Sequence, residues 1–179
     1  MVLPAADDNN GGQFTLHHVV YTHMRGKALS VVYTNDPVSV EISIQTMEQF
    51  LAEDKYRVVG FDLEFIKSSD YSFATVDTTN DLKALKVSDL KCPNLVNIQH
   101  HYKVWGTDKS KLNSLVDLAS AIIDPYYVKM KQESNKDKNA WHRVWHKRLD
   151  EQHVKYAAMD AYTSYEMYRR IVDMRNCLT

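Results

Sequence analysis

The apolar run Val58-Val59-Gly60-Phe61-Asp62-Leu63-Glu64-Phe65 alternates in the manner of a strand and is short enough to be a central one. Strand side chains leave alternate faces, so Asp62 and Glu64 share one face while Phe61, Leu63 and Phe65 share the other. Two neighbouring carboxylates among apolar residues need a cation, a proton or hydrogen-bond donors. A hard divalent ion such as Mg²⁺ or Mn²⁺ meets that need. A strand that ends at Leu63 and leaves Glu64 in water meets it too.

The pattern elsewhere predicts elements that alternate between strand and helix. Thr15 to His23 and Leu29 to Tyr33 are rich in β-formers and flank Met24-Arg25-Gly26-Lys27, a hairpin turn. His17 and His23 fall on one face of that hairpin and read as strand surface residues. Asp36-Pro37 starts a helix, with Asp36 as its cap, and Val40, Ile44, Met47 and Leu51 follow at helical spacing with Phe50 beside them. Glu53-Asp54-Lys55 ends it. Phe73 to Val76 is a small strand, and Asp77-Thr78-Thr79-Asn80-Asp81 opens a short helix carrying Leu82 and Leu85. Leu95 to Ile98 is a further strand. Leu112, Leu115, Val116, Ala119 and Ile122 form a helical stripe that stops before Pro125. The last helix starts at a cap on Asp150 and turns Val154, Ala157, Ala161, Tyr165, Tyr168 and Ile171 inward.

Composition changes this picture little. At 179 residues with ordinary charged and apolar fractions, the chain reads as one domain from residue 14 to 179 behind a disordered leader, residues 1 to 13. The polar start carries no signal peptide, and no run is long and apolar enough for a membrane span. Cys92 and Cys177 lie far apart and suit a reducing setting, so the expected location is intracellular, nucleus or cytoplasm. The net charge of −1 confines any nucleic-acid footprint to a local patch. That patch is the basic stretch from Lys129 to Arg148, which interleaves Trp141, Arg143, Trp145, Lys147 and Arg148. Charges that follow phosphates and rings that stack on bases suit a single strand. A solvated loop with one tryptophan in the core fits the same residues. His142 and His146 lack the glutamate of a zinc-binding His-Glu-x-x-His helix.

Tyr156 and Asp160, four apart on the last helix, share a face among Ala157, Ala158 and Ala161. A core tyrosine and a surface acid would give the same spacing. The order of motifs is more telling. A strand Asp-x-Glu comes first. An Asp opening a helix after a small strand follows, within Phe73-Ala74-Thr75-Val76-Asp77-Thr78-Thr79-Asn80-Asp81-Leu82-Lys83-Ala84-Leu85. Tyr-x-x-x-Asp closes the set, within Leu149-Asp150-Glu151-Gln152-His153-Val154-Lys155-Tyr156-Ala157-Ala158-Met159-Asp160-Ala161-Tyr162. From about Thr15 to Asp173 the chain resembles the 3′–5′ exonucleases of ribonuclease H-like fold, in their four-acid, tyrosine-containing branch, and is similar to its plant Werner syndrome-like members.

The resemblance implies an α/β domain, a ribonuclease H-like mixed sheet with flanking helices. It implies metal-dependent hydrolysis of phosphodiester bonds from the 3′ end of DNA or RNA. It further implies that Asp62, Glu64, Asp81 and Asp160 hold two ions, Mg²⁺ or Mn²⁺, and that Tyr156 aims the attacking water. This sequence departs from the family in two respects: Asn97 stands where relatives often carry an aspartate, at a position that is not a metal ligand, and only eight residues separate Glu64 from Phe73, where relatives carry two strands and a helix. Parallel neighbours usually need a crossover of about a dozen residues. An eight-residue link reaches about 26–29 Å. The expected sheet therefore lacks two strands and one covering helix. Two alternatives to an active enzyme follow: an impaired module that binds nucleic acid or a protein partner, and self-association through an uncovered sheet.

Overall fold

In the computed structural model, residues 12–22, 27–60, 72–87, 89, 91–107, 112–129 and 149–177 are described. Strands β1 (Thr15–Tyr21) and β2 (Ala28–Thr34) pair antiparallel, with Thr15 opposite Thr34 and Tyr21 opposite Ala28. Alternation is clean: His17, Val19 and Tyr21 face solvent with Ala28, Ser30 and Val32, and Val20 is buried on the other face. His17 is thus the surface residue its pattern predicts, whereas His23 lies outside the described residues.

Helix α1 (Pro37–Glu53) begins at the predicted cap, where the Asp36 carboxylate accepts from the Val38 and Ser39 amides. Only Leu51 of the predicted inner stripe is fully buried; Val40, Ile44 and Met47 are half covered, and Phe50 is 72 % exposed. The apolar pattern set the helix, but the neighbouring hairpin is too small to cover it.

Strands β3 (Val58–Gly60), β4 (Ser72–Thr75) and β5 (Leu95–Asn97) form a parallel sheet in that order. Val59 pairs with Phe73, and Ala74 with Val96. Of the expected α/β domain, the described residues show this small parallel sheet with its flanking helices. Among the described residues the antiparallel and parallel pairs belong to separate sheets, because the hairpin strands pair only with each other. The β3–β4 pairing is parallel, as predicted; residues 61–71, with the second half of the predicted strand, lie outside the described residues.

Helix α2 (Thr78–Val87) follows β4 and buries Leu85 but leaves Leu82 half exposed. Helix α3 (Leu115–Ile122) starts at a capping box in which Ser114 and Asp117 bond each other's backbone amides. That start puts Leu115, Leu118, Ala119 and Ile122 on one stripe, with Leu118 and Ala119 fully buried. Leu112, predicted on the stripe, precedes the helix and is exposed.

Helix α4 (Glu151–Asn176) is capped by Asp150 as predicted, its carboxylate accepting from the His153 amide. Its buried face is a correction. Val154 and Ile171 are buried as expected, but Ala157, Ala161, Tyr165 and Tyr168 are only half covered. Thr163, Ser164, Glu166 and Met167 are buried instead. Both the parallel sheet and α3 pack on α4, so its buried arc is wider than one apolar stripe. The core joins Val58, Ala74, Ile98, Leu118, Ala119, Tyr127, Met167 and Ile171.

Candidate functional site

The register between β3 and α4 fixes what lies at the end of the sheet. Just before β3, the Tyr56 hydroxyl donates to Asp173 Oδ1 at 2.6 Å. Four residues on, Gly60 lies against the backbone of Ala161 and Tyr165. A strand rises about 3.3 Å per residue and a helix about 1.5 Å, so that advance of about 13 Å matches the eight to twelve helical residues from Asp173 back to Tyr165 and Ala161. The strand therefore runs against α4, toward the turns that carry Tyr156 and Asp160.

Gly60 is what lets the two elements approach. A methyl group there would lie 2.6 Å from the Ala161 carbonyl carbon, 2.8 Å from the Tyr165 nitrogen, and closer still to the Ala161 oxygen. These are backbone atoms and do not yield as a flexible side chain does.

The neighbouring strand delivers a carboxylate to the same end. Gly60 pairs with Ala74, and Thr75 is the next residue and the last of β4. The Thr75 hydroxyl donates to Asp81 Oδ2 at 2.7 Å, tying the first turn of α2 to the strand end. Between them the chain turns through Asp77, whose φ of 66° is left-handed. A second tie runs from the Asn97 amide at the end of β5 to the Thr78 hydroxyl, 3.2 Å.

Asp81 is half-buried, and burial pushes its carboxyl above the usual range. The Thr75 hydrogen bond opposes that rise, and the Asp77 carboxylate adds to it. Among the described residues no ion pair neutralises Asp81, and no three of His, Cys, Asp and Glu come together as a metal cluster. Tyr156 and Asp160 are half-buried on α4. Asp160 continues the helical row of Ser164, Met167 and Ile171, all buried.

Of the sequence-predicted site residues, Asp81, Tyr156 and Asp160 are therefore described, on two helices that flank the C-terminal end of the parallel sheet. Asp62 and Glu64 lie outside the described residues, as do Trp141, Arg143, Trp145, Lys147 and Arg148. Sequence reasoning missed Thr75 and Glu166, and set Asn97 aside as a non-ligand position. Glu166 is 1 % exposed and takes three hydrogen bonds, two from the Arg169 guanidinium and one from Arg170. Arg170 also donates to the Ile122 and Ile123 carbonyls at the end of α3, so this cluster clamps α3 to α4. Glu-x-x-Arg-Arg in a helix was the available signal, but exposed helices carry such pairs as well.

Residues 20–175 match a family model described as 3′–5′ exonuclease. No curated protein matches the chain, and no solved structure does.

Proposed function

This chain belongs to the 3′–5′ exonuclease family, and from that premise we propose that it is a metal-dependent 3′–5′ exonuclease of the four-acid, tyrosine-containing type, with a ribonuclease H-like fold. Exonuclease domains of this family generally use divalent metal ions and act on nucleic acid. Asp62, Glu64, Asp81 and Asp160 are the residues that would hold two ions, Mg²⁺ or Mn²⁺. All-oxygen donors suit such hard cations. A half-buried Asp81 with a second carboxylate for a neighbour, and no paired cation among the described residues, fits them too. The chemistry the ions supply when bound is stabilisation of the attacking and leaving oxygens of a phosphodiester displacement.

What supports the reading is the direction of the described elements, which carry the proposed residues toward one end of the parallel sheet. β3 heads toward the part of α4 that holds Tyr156 and Asp160, and Asp62 follows Gly60 by two residues. Asp81 is tied to the end of the adjacent strand. The Tyr156 hydroxyl, a donor and acceptor one helical turn from Asp160, orients the attacking water. Contacts with phosphate rather than bases make cleavage blind to sequence. Trp141, Arg143, Trp145, Lys147 and Arg148 hold the incoming single strand through stacking and charge.

A second reading is favoured by one observation. β3 and β4 are parallel neighbours, yet only residues 61–71 connect them, at the lower limit of a usual crossover. So short a connection favours a module that binds nucleic acid or a protein partner, or a second copy of the chain, without turnover.

Degradation of 3′-labelled and 5′-labelled single strands with Mn²⁺ or Mg²⁺ separates the two. Shortening from the 3′ end that EDTA stops, and that Asp62→Ala and Asp160→Ala abolish, is the expected result. Folded protein with no metal-dependent loss of substrate would reject the enzyme reading in favour of the binding module.

A further inference from the structure

Building on the metal-dependent reading above, we infer that Thr75 is a positioning residue, whose hydroxyl holds Asp81 by Oδ2 and so aims the carboxylate at the cation. Three observations combine. Thr75 is 5 % exposed and follows the buried Phe73 and Ala74, so its backbone is fixed by the core. It is paired to Asn97 of β5, and its β-branched side chain has few rotamers, so the hydroxyl direction is set by the strand. Asp81, by contrast, sits in the first turn of α2, past the left-handed bend at Asp77. Its carboxylate has two torsions of its own to fix.

The hydroxyl has one proton and two acceptors in reach, Asp81 Oδ2 at 2.7 Å and the Val76 carbonyl at 3.4 Å. The shorter bond, to an acceptor that carries charge, is the stronger. A hydroxyl can also accept, so it serves Asp81 ionised or protonated, with Val76 taking its proton in the second case. A methyl group in its place does neither. The Asn97–Thr78 bond anchors the start of α2 without touching the carboxylate, and supplies the control.

Outer-shell partners of metal ligands are worth about 10–100-fold in metal affinity. The experiment is calorimetric titration of the intact chain with Mn²⁺ alone, on wild type, Asp81→Asn, Thr75→Val, Thr75→Ser and Asn97→Ala, each with a metal-free melt as a fold control. Thr75→Val keeps the shape and β-branching of threonine and should weaken Mn²⁺ binding by about 10-fold or more. Thr75→Ser, which restores the hydroxyl, should recover most of it. Asn97→Ala should bind nearly as wild type. Should the valine variant not fold, Thr75→Ala beside Thr75→Ser makes the same comparison. Undiminished affinity in Thr75→Val, or no rescue by serine, overturns the assignment. So does an equal loss in Asn97→Ala, since the effect would then be general loosening of α2. Equal Mn²⁺ binding by wild type and Asp81→Asn would instead reject the role of Asp81 itself, and the Thr75 assignment with it.

Discussion

Replacing Gly60 by alanine tests the close approach on which the candidate site depends. Away from the left-handed region, Gly→Ala normally stabilises by about 0.4–1 kcal/mol, because the unfolded chain loses freedom. Gly60 is a strand residue without a left-handed φ, so that gain applies. The opposing effect is steric. To bring the new methyl from 2.6 Å to an ordinary contact of 3.4 Å with the Ala161 carbonyl carbon, β3 and α4 must separate by about 0.8 Å, and by more at the oxygen. A gap of about 0.5–1 Å forfeits a quarter to a half of the dispersion well. Val58, Met167 and Ile171 share the core between strand and helix, and each buried side chain stabilises by about 1.5–3 kcal/mol. A quarter to a half of that sum is about 1–4.5 kcal/mol, which outweighs the backbone gain. The expected net loss is about 2–3 kcal/mol, within the range for an overpacked core. Urea unfolding followed by circular dichroism would show it as a midpoint lower by about 1 M, at a slope of about 2 kcal/mol/M. The displacement falls beside Asp160, so exonuclease activity should drop by up to about 100-fold even where the protein remains folded. A midpoint that stays put or rises would refute the packing argument, because only the backbone gain would then be acting.

Further expectations follow from other residues. Asp81→Asn and Asp160→Asn each remove a proposed ligand charge, and should lower turnover by about 100-fold or more in a gel-based exonuclease assay while leaving the metal-free melt almost unchanged. Glu166→Ala leaves Arg169 and Arg170 without their buried partner and should destabilise the fold by about 3–5 kcal/mol in the same urea experiment. Burial pushes the Glu166 carboxyl up, but the bonds from Arg169 and Arg170 prevail and hold it below the usual range. With the folded value below the unfolded one, its contribution is complete above the ordinary glutamate pKa of about 4.3 and is lost as pH falls through the lower, folded value. The acid limb of the stability curve should therefore flatten in Glu166→Gln relative to wild type. Burial raises Tyr162 and Tyr165 to about 12, helped in Tyr165 by the Asp54 carboxylate that accepts its hydroxyl at 3.1 Å. The fold thus holds those protons and loses stability as pH rises from the ordinary tyrosine value of about 10 toward 12. An alkaline absorbance titration should find both ionising late; early ionisation would show that they are not covered as described.

Much of the element order was legible in the sequence because it rests on local chemistry. Asp36-Pro37, Ser114 and Asp150 cap helices through side chains that reach only two or three residues onward. Alternation along Thr15–Tyr21 set the face that His17 and Val19 show to water. The spacing of Tyr156 and Asp160 put both on one helical face, and the order of acidic motifs carried the exonuclease resemblance that the family match supports. What the sequence could not fix were contacts between residues distant in the chain or across a turn. The burial of Glu166 depends on α3 and α4 meeting, which brings Arg170 to the Ile122 carbonyl. The Thr75–Asp81 bond depends on a left-handed turn at Asp77, an aspartate where glycine would be the usual signal. Gly60 reads in sequence as a flaw in a strand, since glycine weakens strands. Only the tertiary structure gives it a reason: the backbone of α4 occupies the space where a side chain would stand.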